Sequence, residues 1–163
     1  MAILNIEKFE NPVLRKKAER VKEINEEIEK LVRDMIDTMM EYKGIGLAAN
    51  QVGVLKRVIV VLPDPSKSEV FAFINPKVIK KSREKSILEE GCLSFPNMFF
   101  NISRPKEIEV EGFDIKGDKI QIQAKGIAAH VFQHEIDHLD GFLFFDRLSF
   151  AKKIRMRLKN LWR

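Results

Sequence analysis

Between Asn25 and Gly44 an apolar side chain returns every three or four residues, at Ile28, Leu31, Val32, Met35, Ile36, Met39 and Met40. A period of about 3.6 lays these on one stripe of an α-helix, with Asn25 placed to cap its start and the other face charged. Just before it, "NPVLRKKAERV" reads as a short helical turn capped by Asn11, with Pro12 at the first helical position. The period then falls to two. "RVIVVL" and "VFAFIN" flank the turn-rich "PDPSKSE", and "EIEVEGF" and "KIQIQA" alternate apolar and polar around "KGD". Such alternation marks half-buried antiparallel strands. From Ile127 to Asp140 the helical period returns, with Ile127, Val131, His134 and His138 on one side and Ala128, Phe132, Ile136 and Leu139 over most of the rest. A helix so apolar around its circumference is expected at the centre of the domain, ended by Gly141.

Helix, strands, central helix and terminal helix in that order predict an α+β fold rather than a parallel βαβ repeat. No repeat, low-complexity tract or linker divides the 163 residues, so residues 1–163 are expected to form a single domain. With 45% hydrophobic and 33% charged residues the chain can bury a core without staples, which argues against disorder. No apolar run approaches the roughly 18 residues that cross a bilayer, and "MAILNIEKFENP" lacks the apolar stretch of a secretory signal, so a cytoplasmic protein is expected. Cys92 is the single cysteine and cannot close an internal disulfide, in keeping with a reducing compartment.

The charge is concentrated at one end. Of the net +5, six cations lie in Lys152 to Arg163 without an acidic residue, which leaves −1 for the rest. The segment "SFAKKIRMRLKNLWR", residues 149–163, reads as an amphipathic helix capped by Ser149, with Phe150, Ile154, Leu158 and Leu161 as its stripe. Two readings stay open: the stripe docks on the domain and the charges are solvated, or the cations neutralise phosphates of ribosomal RNA.

The chemistry concentrates in "QHEIDH". His134 and His138 are an i, i+4 pair on one helical face, close enough to grip one ion, and a buried Glu135 needs a cation nearby. Two imidazoles leave a tetrahedral ion short of ligands; the glutamate of such a pair is typically the base beside the metal, so a further ligand must come from elsewhere. Cys92, in the glycine- and proline-punctuated "EEGCLSFP", is either that ligand or a small core residue. "GIGLAANQVG", Gly44 to Gly53, is either a tight helix-to-strand turn with a surface Gln51, or a segment where backbone passes close to another chain and Gln51 donates to a developing negative charge.

Taken together and in order, "GIGLAANQ", "EGCLSFP" and "QHEIDH" resemble the three signature motifs of the bacterial-type peptide deformylases, and the likeness runs from "NPVLRKKA" to "DRLS". The resemblance implies antiparallel sheets wrapped around the central buried HExxH helix. It implies an amide hydrolase that removes the formyl group from the N-terminal formyl-methionine of nascent polypeptides and releases formate. Cys92, His134 and His138 would hold one divalent metal ion, with Fe2+ as the native ion and Zn2+, Ni2+ or Co2+ as others. Metal-activated water would attack the formyl carbon with Glu135 as general base and acid, while Gln51 and the Leu93 N–H meet the oxyanion and Gly46 contacts the substrate backbone. Ile45, Ile127 and Val131 are pocket candidates, and Glu90, Arg104 and Asp137 candidate supports around the ligands. His130 carries no role in that pattern. Formyl-methionyl nascent peptides are the expected partner, with ribosome docking through the basic tail and neither membrane nor DNA contact. The rival readings are another small HExxH metallopeptidase and a non-enzymatic ribosome- or RNA-binding module.

Overall fold

A computed structural model describes residues 2–148 together with Ala151 and Lys153; apart from those two, the expected terminal helix over 149–163 lies outside the described residues. The described residues are α+β, with antiparallel sheets and two α-helices. Helix α1 (Glu26–Glu41) starts where expected, the Asn25 side chain accepting from the Ile28 N–H at 3.1 Å. Ile28, Val32, Met35 and Met39 of its stripe are buried, whereas Met40, expected on the same stripe, faces outward at 48% exposure. The turn at Pro12–Arg15 is 3₁₀, capped by Asn11.

Five strands form one antiparallel sheet in the order β1-β2-β3-β6-β7: β1 (Gly46–Ala48), β2 (Val58–Val61), β3 (Phe71–Lys81), β6 (Glu107–Phe113) and β7 (Lys119–Lys125). Between β3 and β6 in sequence, β4 (Lys85–Cys92) and β5 (Phe95–Pro105) form a separate two-stranded sheet. The β3–β6 register slips around Ile74 and Lys77. There Asn75 takes the left-handed conformation (φ 54°), its amide bridges the N–H and C=O of Val21, and Pro76 withholds a donor from the ladder.

Strand β2 has no solvent face. Val58 and Val60 pack with the α1 stripe, Leu47 and Ile74, while Ile59 and Val61 point the other way, into a cluster with Phe73, Val110, Phe132 and Leu139. The second cluster belongs to α2 (Ile127–Leu139), buried from Ala129 through Leu139 as its all-round apolarity predicts. Gly141 follows at φ 77°, where an added Cβ would lie 2.5 Å from the Arg15 carbonyl oxygen, so the helix end is fixed by a residue that must be glycine. On its other side α2 meets β5, and β5 in turn packs Phe95 and Ile102 against Leu14, Phe144 and Phe145.

Candidate metal centre

The three donor atoms come from two places. Cys92 ends β4, just before the two-residue turn Leu93–Ser94, and His134 and His138 project from adjacent turns of α2. The Cys92 Sγ lies 3.2 Å from His138 Nε2, the two Nε2 atoms are 3.2 Å apart, and all three donor atoms lie within 4.8 Å of one another. Ligand atoms about 2.0–2.3 Å from a tetrahedral ion are about 3.3–3.8 Å from one another, so the cluster has the size of an ion's first coordination sphere. It also attracts positive charge. Burial opposes a charge on His134, but Cys92 on one side of the ring and Glu90 on the other raise its pKa well above the ordinary value. Burial, and then the charge of His134, push His138 well below it. A thiol flanked by two imidazoles in a pocket that favours one added cation fits a divalent metal.

Glu135 stands beside this cluster, 4% exposed, and its Oε2 has no hydrogen-bond partner among the described residues. Burial raises its pKa to about 7, against the pull of His134. Gly46 leaves room for it: a Cβ there would fall 2.3 Å from Glu135 Oε1 and 2.9 Å from both Cγ and Cδ. Gln51 is buried at 1% exposure, which removes the reading of a surface side chain on a turn. Its Oε1 accepts from the Ala48 N–H at 2.8 Å, which turns the amide nitrogen toward Ser94 Oγ (3.2 Å) and Cys92 Sγ (3.4 Å). The N-terminal segment ties these pieces together, since Glu7 N–H donates to the Gln51 carbonyl, Phe9 N–H to that of Ser94 and Lys8 Nζ to that of Leu93.

Behind the histidines lies a buried ionic network. Arg104 donates through Nε and Nη2 to the two oxygens of Glu90 (2.6 and 3.0 Å) and through Nη1 to Asp137 (2.7 Å), which Arg147 also clamps. Glu90 accepts from His134 Nδ1 at 3.0 Å. Burial alone would raise the Glu90 carboxyl, but the hydrogen bonds from His130, His134 and Arg104 hold it far below the usual carboxylate range. Asp137 is thus linked to the histidines through Arg104 and then Glu90. Ser94, Asn50, Arg147 and His130 were not singled out by the sequence pattern as functional; Asn50 donates to the His138 carbonyl at 2.5 Å. Ser94 lay within a quoted motif, and its 0% exposure is the signal that only the fold supplies.

A cleft of about 880 Å³ opens over Glu135 and His134, and Cys92, Gly46, Gln51 and Leu93 line it together with Ile45, Ile127 and Val131. Val131 is buried, whereas Ile127 and Ile45 are 52% and 38% exposed at its mouth, joined by Tyr42 and Phe99.

A profile of the family described as Polypeptide deformylase matches residues 3–154. A "Peptide deformylase" of Thermodesulfovibrio yellowstonii is 47% identical over 161 residues, covering 98% of this chain and 97% of its own. Among solved structures, the peptide deformylase of Thermotoga maritima superposes with a TM-score of 0.86 at 42% identity, covering 91% of this chain and 99% of that one. The Ehrlichia chaffeensis peptide deformylase in complex with actinonin gives 0.89 at 38% identity, covering 100% and 99%.

Proposed function

The chain belongs to the polypeptide deformylase family, and from that premise we propose which of its residues carry the reaction. The enzyme removes the formyl group from the N-terminal formyl-methionine of newly synthesised polypeptides, a metal-dependent hydrolysis that releases formate. Family membership sets aside the rival peptidase and non-enzymatic readings.

Cys92, His134 and His138 hold the ion. Once bound, the ion supplies a Lewis acid that makes water nucleophilic near neutral pH. Glu135, buried and with Oε2 unpartnered, takes the proton from the attacking water and returns it to the departing amine. Gln51 Nε2, oriented by the Ala48 N–H, and the backbone N–H of Leu93 in the β4–β5 turn donate to the oxyanion, each worth about 3–4 kcal/mol in a transition state. The methionine side chain enters the cleft beside Ile45, Ile127 and Val131. Strand β1 is the edge of its sheet, so the peptide adds as an extended strand along Gly44–Gly46, where backbone rather than side chains is read. Glu90, Arg104 and Asp137 orient His134 from behind.

The observation that carries this reading is the convergence of a thiol, two imidazoles and an unpartnered buried carboxyl at one end of an apolar cleft. Protein purified without oxygen and assayed for formate release from a formyl-methionyl peptide tests it, beside metal analysis. Glu135→Ala is expected to keep the metal and lose about 10²–10⁴-fold in kcat. Metal retained by Cys92→Ser with His138→Ala, or full activity in Glu135→Ala, overturns it.

One thiolate and two neutral imidazoles leave a divalent site near +1, soft enough for iron(II) as the native ion, with zinc, nickel or cobalt as substitutes. Air should then inactivate the iron form by oxidising the ion or Cys92. In the same reading residues 1–163 form one catalytic domain, with both sheets enclosing α2 and residues 149–163 a basic amphipathic helix that docks on the ribosome in the cytoplasm. Grooves behind α2 support that docking: Lys17, Arg20, Lys77, Lys81 and Lys85 line them without an ion pair among the described residues, and Arg147 lies where the tail begins. Salt-sensitive sedimentation with ribosomes that is lost on truncation after Ser149 supports the tail; binding that survives truncation refutes it.

A further inference from the structure

One buried side chain of α2 takes no part in the proposed reaction. His130 is 3% exposed and held at both ends of its ring, with Nδ1 2.8 Å from Glu90 Oε1 and Nε2 3.0 Å from Ser86 Oγ. The chain Ser86–His130–Glu90 has the connectivity of a nucleophilic triad. It is not one, because Ser86 does not line the cleft and a nucleophile must reach its substrate.

The network is better understood from Glu90. An ionised carboxylate only accepts, at about four lone-pair positions. Four N–H groups fill them here: Arg104 Nε and His130 Nδ1 on Oε1, Arg104 Nη2 and His134 Nδ1 on Oε2. Both imidazoles must therefore carry a proton on Nδ1. For His134 this keeps Nδ1–H on Glu90 and directs Nε2 toward Cys92 and His138. Arg104 braces the carboxylate from one side with a planar fork. His130 and His134, one helical turn apart, brace it from the other. Without His130, Oε1 keeps a single donor and the carboxylate can turn about its Cγ–Cδ bond, away from His134.

We propose that His130 is a positioning residue of the metal centre: acting through Glu90, it fixes the ring orientation and tautomer of His134. This rests on the assignment of Cys92, His134 and His138 as metal ligands.

The test is metal retention. Wild type, His130→Leu, His130→Phe and His130→Asn are loaded with cobalt(II), their visible spectra recorded and dissociation into a chelator followed, with melting temperatures in parallel. The two apolar variants remove both ring nitrogens, whereas the Asn amide nitrogen stands where Nδ1 stood and donates to Glu90. Partners behind a ligand histidine are worth about 10–100-fold in metal affinity, and one bond further out the apolar variants should retain metal about tenfold less well with a shifted cobalt spectrum, while Asn stays within about twofold of wild type. Folded apolar variants that hold cobalt as wild type does overturn the proposal, as does an Asn variant that loses as much as Leu. Should His130→Leu fail to fold, Phe carries the comparison. Wild type that takes up no cobalt overturns the ligand assignment, and with it this proposal.

Discussion

Replacing Gly46 with alanine should disable the enzyme through Glu135 alone. Gly46 sits in β1 paired with Val61, in a conformation that any residue adopts, so the backbone itself tolerates the change. The difficulty is the new methyl group, 2.3 Å from Glu135 Oε1 and 2.9 Å from Cγ and Cδ. Ordinary contact needs about 3.5 Å, so the carboxylate must withdraw by about 1 Å. A displacement of that size at a reacting group costs about 10²-fold, or about 2.7 kcal/mol of transition-state stabilisation. Overpacking at so buried a carboxylate adds about 1–3 kcal/mol of destabilisation. Steady-state kinetics on a formyl-methionyl peptide, with metal content measured on the same samples, should show kcat down about 100-fold, KM nearly unchanged and metal retained, since no donor atom is touched. A raised KM with kcat intact would mean that the methyl obstructs the peptide instead, and unchanged kinetics would refute the argument altogether.

Three further outcomes are expected. Arg104→Leu leaves Glu90 without its charged partner and should cost about 3–5 kcal/mol, a fall in Tm of about 6–20 °C at this size, visible in a thermal melt. Asn25→Ala removes the cap of α1 and should lower Tm by about 2–4 °C with kcat unchanged. The Asp34 carboxyl is lowered chiefly by its hydrogen bond from Lys30, against burial and with help from the Ala2 N–H. Its folded value lies below the ordinary one, so the stabilisation is complete above about pH 4–5 and lost as the pH falls further. Amide protection factors at residues 2–6, with the intrinsic pH dependence of exchange divided out, should fall on acidification in wild type and change less in Asp34→Asn.

Much of the frame was legible because period and burial agree. The α1 stripe apart from Met40, β6, β7 and α2 from Ala129 onward bury the faces that their spacing marks, and the unbroken apolar run of β2 is buried on both sides. The β4–β5 pair was not legible. In β4 the alternation turns Ile87 outward at 67% exposure and Glu90 inward at 8%, so hydrophobicity points the wrong way. In β5, Pro96 and Asn97 sit in a break in the pairing: Phe95 pairs with Cys92, and the ladder resumes only at Phe100 opposite Glu90. Glu90 is buried for a reason absent from its own neighbourhood, since its partners Arg104, His130 and His134 are 14, 40 and 44 residues away. Gln51 likewise looked like a turn residue because its acceptor Ser94 and the N-terminal segment that covers both are distant in sequence. The motifs marked Cys92, His134 and His138, which the fold brings together; the scaffolding that aims them is a product of long-range contacts.

The hairpin and α2 bring their donor atoms together from opposite directions, and this has a bearing on when an ion can be captured. Two imidazoles arrive on a single rod and are near each other as soon as it coils. Placing the sulfur requires β4 and β5 to be paired and packed against that rod, with Lys8 and Phe9 hydrogen-bonded to the bend. Under the proposed ligand assignment, an ion meeting α2 alone would find two of its three donors, so durable loading would coincide with completion of the tertiary structure, and the ion would rivet together two parts of the chain that the backbone joins only by a long detour.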